Sequence, residues 1–409
     1  MKQDTKQLIA RQTPGFSLEQ AFYNNDDIYR LDLDKVLSTQ WQFVDHESRL
    51  PNVGDYITYE FANESIIIVR ARDGELRAHF NVCTHRGSRI CSKETGNAKK
   101  LVCPYHAWVF ELDGSLKNAR QMPDDFKPEQ HGLRPCRVGV IEGLIFININ
   151  DDDSSELEEL ANNLRSFIKP HGLTDAKVAH SQTYTVNANW KLVIENFREC
   201  YHCSPSHPEY SSVNAYVHIG DRQLGGYMPT VDAWKQSVQG SDKEAGFKNF
   251  TYALQPHHAW RMPIRDGFKT ATKDGSPAGP LMGSFKEYDN AETGVFFGAL
   301  SYFYLNNDYA STFRVTPMAT NETQVTINWI VHKDAVEAVD YDVEHLKWLW
   351  HVTTLQDAHI VNENQLGVNS SRYAPGPYSA REYGTADFTA WYLARLQGKQ
   401  EQRITFRKS

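Results

Sequence analysis

The spacing Cys83-Thr-His85, then 17 residues, then Cys103-Pro-Tyr-His106 constrains this chain more than any other feature. Each pair puts one sulfur ligand and one imidazole within a single tight turn. Two such turns facing each other present four ligands to one point. Zinc accepts a shell of two Cys and two His. So does a two-iron cluster in which one iron takes both thiolates and the other both imidazoles. Zinc modules usually pair Cys with Cys and His with His, whereas both pairs here mix the two types. The cluster is the favoured reading, with Cys83, His85, Cys103 and His106 as ligands. Cys91 and Cys136 lie outside the pattern and read as buried, inert thiols.

The surrounding sequence supplies a scaffold for facing loops. From Trp41 onward, short β-type runs alternate with turn pairs: residues 55–61, 65–70, Asp73-Gly74, 76–80, then 108–112, Asp113-Gly114, 115–117. Asp-Gly accepts the positive φ angles of tight hairpins. A further hairpin runs 137–141, Glu142-Gly143, 144–149. The acidic run from Asp151 to Glu156 repels itself and marks a boundary. A helix to Ile168 follows, with Leu157, Leu160, Leu164 and Phe167 at helical spacing. The remainder mixes long helical patterns (189–203, 342–366, 385–397) with strands such as 324–331, and Pro375-Gly-Pro377 marks a loop. The 409 residues therefore read as an N-terminal helical segment (1–40), an all-β domain (41–155) and an α+β domain (156–409). Ser17 in Ser-Leu-Glu-Gln is the expected cap of an early helix.

Charge and cysteine content narrow the partners. With 43 basic against 51 acidic residues the net charge is −8, so no basic field exists for nucleic acid or an anionic membrane. No run approaches the roughly 18 apolar residues that span a bilayer. Six cysteines are too few for a disulfide framework. The opening residues carry no apolar signal. A cytoplasmic, reduced protein is expected.

A second constellation lies in Asn189-Trp-Lys-Leu-Val-Ile-Glu-Asn-Phe-Arg-Glu-Cys-Tyr-His-Cys-Ser-Pro-Ser-His207. A helix carrying Glu199 and His202 would show both on one face, and Pro205 would force the chain out of helix before His207. Two histidines and a carboxylate on one face of an octahedron make the non-haem Fe(II) arrangement, which leaves positions open for dioxygen and substrate. The carboxylate must come from elsewhere. Asp357 is the candidate, because Leu349, Val352, Leu355, Ile360 and Val361 suggest that its helix is buried, and a buried carboxylate needs a metal or a partner. His359 and Glu363 are its neighbouring rivals.

With Arg86-Gly87, Pro104 and Trp108 as flanks, the first pattern resembles the Rieske domain of ring-hydroxylating oxygenases. The chain, nearly end to end, resembles the large subunit of Rieske non-haem iron oxygenases. That resemblance implies an all-β Rieske [2Fe–2S] domain and a helix-grip-like α+β catalytic domain with the N-terminal segment packed on it. It implies Asp357 as the iron carboxylate, ahead of Gln365-Leu-Gly367, and a homotrimer or hexamer in which Glu199 bridges His106 of a neighbouring subunit and His202. Aromatic-ring members usually carry aspartate at that position, so glutamate is a departure. The segments 190–203, Cys103-Pro-Tyr-His-Ala-Trp108, Phe313-Arg-Val315, 329–337 and Pro375-Gly-Pro-Tyr-Ser379 look like the glycine betaine monooxygenase group. This implies oxidative N-demethylation of a quaternary amine such as glycine betaine or proline betaine, with O2 as co-substrate.

A quaternary ammonium offers no hydrogen-bond donor and is held by aromatic faces. Trp260, Tyr302 and Tyr304 are candidates for those faces, Tyr302 and Tyr304 sharing one side of a strand. No Gly-x-Gly-x-x-Gly fingerprint occurs, so NAD(P)H electrons are expected to arrive through a separate flavin/iron–sulfur reductase. Aromatic-ring hydroxylation is the alternative reaction. An electron carrier using the cluster alone and a zinc-stabilised binding module are the alternatives of other classes.

Overall fold

The computed structural model describes residues 3–150, 156–214 and 257–398, with isolated positions between 233 and 251. The chain divides into two compact units, Ser38–Leu157 and Met1–Leu37 with Glu158–Ser409. The mixture of an all-β unit with a helix-and-sheet unit makes the fold α+β. Residues 151–155 of the acidic run lie outside the described residues.

Three short helices open the chain: α1 (Gln3–Ala10), α2 (Ala21–Asn24) and α3 (Asp26–Asp32). Asn25 caps α3 by accepting the N–H groups of Asp27 and Ile28. The expected Ser17 cap is not formed. Its hydroxyl instead accepts the N–H of Gly376 and meets the Tyr373 hydroxyl, because the chain before α2 runs against the 370s loop rather than into the helix.

The β unit contains β1 (Gln42–His46), β2 (Asp55–Phe61), β3 (Glu64–Arg70), β4 (Leu76–Phe80), β5 (Thr95–Asn97), β6 (Leu101–Val102), β7 (Val109–Phe110), β8 (Leu116–Asn118), β9 (Pro135–Ile141) and β10 (Leu144–Asn148). Seven form one sheet in the order β1-β10-β9-β4-β3-β2-β5, and β6-β7-β8 form a second. Glu142 and Gly143 both adopt positive φ (48° and 83°), the geometry of a two-residue hairpin between β9 and β10. Gly114 turns at φ +89° directly beneath His79, where a Cβ would sit 2.6 Å from the imidazole. Ile67, Val69, Leu101, Trp108 and Phe110 pack in one core cluster that also contains Cys83 and Cys103.

The second unit continues with α4 (Glu156–Ile168), β11 (Ala176–Val186), α5 (Trp190–Phe197), α6 (Cys203–Ser206) and α7 (Pro208–Val213). After these come β12 (Phe250–Thr251), β13 (His258–Pro263), β14 (Ala291–Phe297), β15 (Ser301–Leu305), β16 (Ala310–Ala319), β17 (Glu322–His332), α8 (Val343–Val368) and α9 (Tyr383–Leu396). Leu157, Leu164 and Phe167 of α4 are buried. The sheet is antiparallel in the order β11-β17-β16-β15-β14-β13-β12. Helix α8 lies against β11, α5 and α7. Its buried face is Leu346, Leu349, Trp350, Thr353, Thr354, Asp357, Val361, Gln365 and Val368. Leu355, expected on that face, is instead 50% exposed, because the helical repeat that buries Asp357 turns its second neighbour outward.

The N-terminal segment is tied to this unit by charge. The Lys191 ammonium on α5 pairs with Asp32, both fully buried, and Trp190 and Tyr392 donate to the same carboxylate. Tyr23 donates to Glu195 at 3.0 Å.

Candidate metal centres

In the β unit the two loops expected to face each other repeat one backbone pattern. The N–H of Cys83 donates to Ser88 O and that of Gly87 to Cys83 O. Likewise Cys103 N–H donates to Trp108 O and Ala107 N–H to Cys103 O. Gly87 and Ala107, each four residues after its cysteine, both take positive φ (77° and 58°). Equivalent turns therefore present equivalent ligands. The Cys83 and Cys103 side chains are buried and not joined in a disulfide. His85 and His106 meet edge to face with centroids 4.7 Å apart. His85 also stacks on Trp108 at 4.7 Å, which fixes its plane.

The two sulfurs differ electrostatically: burial and the neighbouring Cys103 hold the Cys83 thiol above its ordinary value, whereas Cys103 lies below its own. Cys83 faces the backbone N–H groups of His85 and Arg86, and Cys103 those of Tyr105 and His106. Burial raises the Cys103 pKa, but these amides and the Cys83 thiol outweigh it and hold the thiol below its ordinary value. Two converging sulfurs lined by N–H donors, with two imidazoles outside them, fit a cluster with one iron on each ligand type. The other two cysteines of this unit, Cys91 and Cys136, are buried, and burial pushes the Cys91 thiol up to about 11.

In the second unit His202, His207 and Asp357 come together, each offering a ligand atom within 4.8 Å of the others. Asp357 Oδ1 lies 3.0 Å from His207 Nε2 and 3.5 Å from His202 Nε2. The local route to this geometry differs from the expected helix. Helix α5 ends at Phe197, and Glu199 sits in the following turn, where Oε2 accepts the N–H groups of Tyr201 and His202. Such side-chain bonds compete with helical ones, so the helix stops before Glu199. Pro205 does not break the chain out of helix. It is the third residue of α6, where a missing N–H leaves no intrahelical bond unmade.

Each imidazole is held from behind. Glu199 Oε1 lies 2.6 Å from His202 Nδ1. Gln356 Oε1 lies 2.9 Å from His207 Nδ1, and the Gln356 amide in turn donates to Glu209 Oε2 at 2.7 Å. Both rings thus turn Nε2 toward Asp357, the tautomer that leaves Nε2 free to bind a cation. The Asn196 amide also reaches His202 Nε2, at 3.3 Å. Burial lowers the His202 pKa, but Asp357 and Glu199 outweigh it and push it up to about 9. The extra proton occupies the place that a divalent ion would take, and binding of such an ion would release it. His359 and Glu363 are exposed and stand apart from the trio.

Gln356, Glu209 and Asn196 carry no sequence pattern that names them, although Gln356 is the chain neighbour of Asp357. One expectation is corrected here. Cys200 and Cys203 are joined in a disulfide, so the chain is not fully reduced. A local Cys-x-x-Cys loop needs no disulfide framework to close.

Aromatic rings extend from the trio. Tyr210 lies 6.5 Å from His207 and 5.4 Å from Trp350, which packs 4.2 Å from Tyr304 and 5.0 Å from Phe313. Trp260 is half-buried and meets Tyr304 edge-on at 6.2 Å. Tyr302 is fully buried, stacked on Phe197 at 4.9 Å, and the Arg198 guanidinium lies 5.8 Å from its ring. No helix among the described residues is long and apolar enough to cross a membrane.

Comparison with known proteins matches both units. The family described as Ring hydroxylating alpha subunit (catalytic domain) matches residues 173–398, and the Rieske [2Fe-2S] domain matches residues 40–134. The glycine betaine monooxygenase oxygenase subunit of Chromohalobacter salexigens is 37% identical over 97% of this chain and 90% of that protein. The carnitine monooxygenase oxygenase subunit of Escherichia coli K12 is 38% identical over 50% of this chain and 56% of that protein. Among solved structures, a quaternary ammonium Rieske monooxygenase superposes with a TM-score of 0.73 at 23% identity, covering 97% of this chain and 98% of the other.

Proposed function

The chain belongs to the ring-hydroxylating alpha-subunit family, an oxygenase with a Rieske [2Fe–2S] cluster and a mononuclear iron, and from that premise we propose that it oxidatively N-demethylates a quaternary ammonium compound such as glycine betaine or proline betaine. Cys83, His85, Cys103 and His106 would hold the cluster, and His202, His207 and Asp357 would hold the iron. When bound, the cluster would supply single electrons and the iron O2 activation.

The observation that carries the substrate reading is the run of rings from the iron trio, His207 to Tyr210 to Trp350 to Tyr304. A trimethylammonium group gives up water readily and is held by such faces, at about 0.5–2 kcal/mol per cation–π contact. Trp260 meets Tyr304 at the far end of that run, and Tyr302 lies buried on the same strand against Phe197 and Phe296. Hydroxylation of one N-methyl consumes O2, two electrons and two protons and releases water. The resulting carbinol expels formaldehyde and leaves a tertiary amine.

The residues have separate tasks. Glu199, on His202 Nδ1, is the electron bridge toward a cluster, and Gln356 holds the proton on His207 Nδ1. Burial of His207 and Asp357 keeps bulk water from the reacting face. A separate reductase delivers the electrons, and a homotrimer would bring a neighbour's cluster to Glu199. The test is formaldehyde release with a reductase and NADH across glycine betaine, proline betaine and carnitine. Turnover of an aromatic acid with none from any quaternary amine would overturn the reading.

A further inference from the structure

Cys200 and Cys203 bracket the loop that carries one iron-site histidine. Their Cα atoms are 4.9 Å apart, inside the span that a disulfide bridges without backbone movement. The closed loop contains Tyr201 and His202, whose N–H groups both donate to Glu199 Oε2 while His202 Nδ1 meets Glu199 Oε1. The two cysteines are not equivalent. Cys203 is buried, and its carbonyl accepts the His207 N–H at 2.9 Å and the Ser211 hydroxyl at 3.2 Å, so it is anchored to the second histidine and to α7. Cys200 is half-buried and follows the end of α5. The bond therefore ties the free side of the loop to its fixed side, with His202 between them.

We propose that Cys200 and Cys203 are a reversible dithiol–disulfide pair, oxidised by hydrogen peroxide, whose bonded form holds Glu199 and His202 in place at the iron trio. Two thiols and one peroxide give one disulfide and two waters. Each thiol loses its hydrogen, the S–S bond forms, the O–O bond breaks, and two electrons pass from sulfur to oxygen. An oxygenase generates the oxidant itself when two electrons and two protons reduce O2 without consuming substrate. A dithiol reverses the change by taking up the bond as its own disulfide. Closing the loop removes conformational freedom from Tyr201 and His202, so the reduced form holds His202 less firmly. The proposal rests on the assignment of the iron to His202, His207 and Asp357 and is independent of the substrate.

The full chain, loaded with iron, is treated with peroxide or with dithiothreitol, and two quantities are read. Alkylation followed by peptide mass analysis reports the thiols: the peptide with Cys200 and Cys203 is expected to resist alkylation after peroxide and to take two labels after dithiothreitol. Iron retained against a chelator reports the site, and the reduced form is expected to hold it on the order of tenfold more weakly. Cys200→Ser should match the reduced chain and ignore peroxide. Cys203→Ser alters a buried position, so Cys200→Ser is the deciding variant. Free thiols after peroxide overturn the proposal, as does equal iron retention in both forms. A chain that binds no iron in either form overturns the metal assignment and this proposal with it, whereas a loaded chain indifferent to thiol state overturns this proposal alone.

Discussion

Replacing Gln356 by methionine tests whether the amide behind His207 sets the metal affinity of the trio. The substitution keeps length and volume but deletes the oxygen 2.9 Å from His207 Nδ1 and the amide that donates to Glu209 at 2.7 Å. The His207 side chain is 1% exposed, so water cannot replace the lost acceptor. A buried donor left unmatched costs about 1–3 kcal/mol. The ring can avoid that cost by moving its proton to Nε2, which faces Asp357 Oδ1 at 3.0 Å, but that nitrogen then has no lone pair for a metal. Either way the loss falls on metal binding. At about 1.4 kcal/mol per tenfold, the affinity should weaken by roughly 5–150-fold. The assay is anaerobic Fe(II) or Co(II) titration against a competing chelator, with the cluster spectrum as a control for the other unit. Gln356→Glu restores an acceptor and is expected to recover most of the affinity. Wild-type affinity in Gln356→Met would refute the reasoning, because it would mean that Asp357 and the packing alone orient His207.

Other perturbations probe charge and the fold's anchors. Glu199→Gln removes the negative charge behind His202 Nδ1 and is expected to leave the cluster reducible while slowing its reoxidation with substrate and O2 by roughly 10–100-fold; single-turnover absorbance reads the rate. Asp32→Asn leaves the fully buried Lys191 ammonium uncompensated and should cost about 3–5 kcal/mol, read as a lower Tm, whereas adding Lys191→Met should recover most of it. Burial pushes the Glu292 carboxyl up to about 8 from an ordinary 4.5, against the opposing effects of Asn306 and Arg261. The fold thus favours the neutral acid, and that contribution is full below about pH 4.5 and lost as pH rises through about 8. Glu292→Gln should therefore gain in Tm relative to wild type between about pH 5 and pH 9, and parallel curves would contradict this.

The legibility of each site followed the distance over which its residues cooperate. Cys83, His85, Cys103 and His106 lie within two local turns, so the ligand types and spacing alone described a converging set. His202 and His207 were equally local, but their route was misjudged, because the Glu199 carboxylate capturing two amides and Pro205 entering a new helix are choices between local structures of similar energy. Asp357 pairs with a residue 150 positions away. On α8 the apolar pattern pointed to Leu355, whereas the buried face carries Thr353, Thr354, Asp357 and Gln365, because a metal-facing helix buries polar side chains and so blurs its own periodicity. Gln356 and Glu209 were invisible for the same reason: their roles are bonds to partners 149 and 147 residues distant.

The burial of the two centres differs in the direction that their chemistry demands. In the β unit the sulfurs are enclosed while His106 is exposed and His85 half-exposed, so charge can enter and leave through the imidazole edge without uncovering the thiolates. At the trio the order is reversed: His207 and Asp357 are buried, and His202, 19% exposed at its side chain, is the ligand backed by Glu199. An electron relay needs an accessible edge, and oxygen chemistry needs a face from which water is excluded. The one accessible member of the trio is thus also the one whose outer nitrogen carries a carboxylate. The proposed electron route through Glu199 and His202 rests on that coincidence, and the Cys200–Cys203 bond closes the turn that carries His202 directly after Glu199.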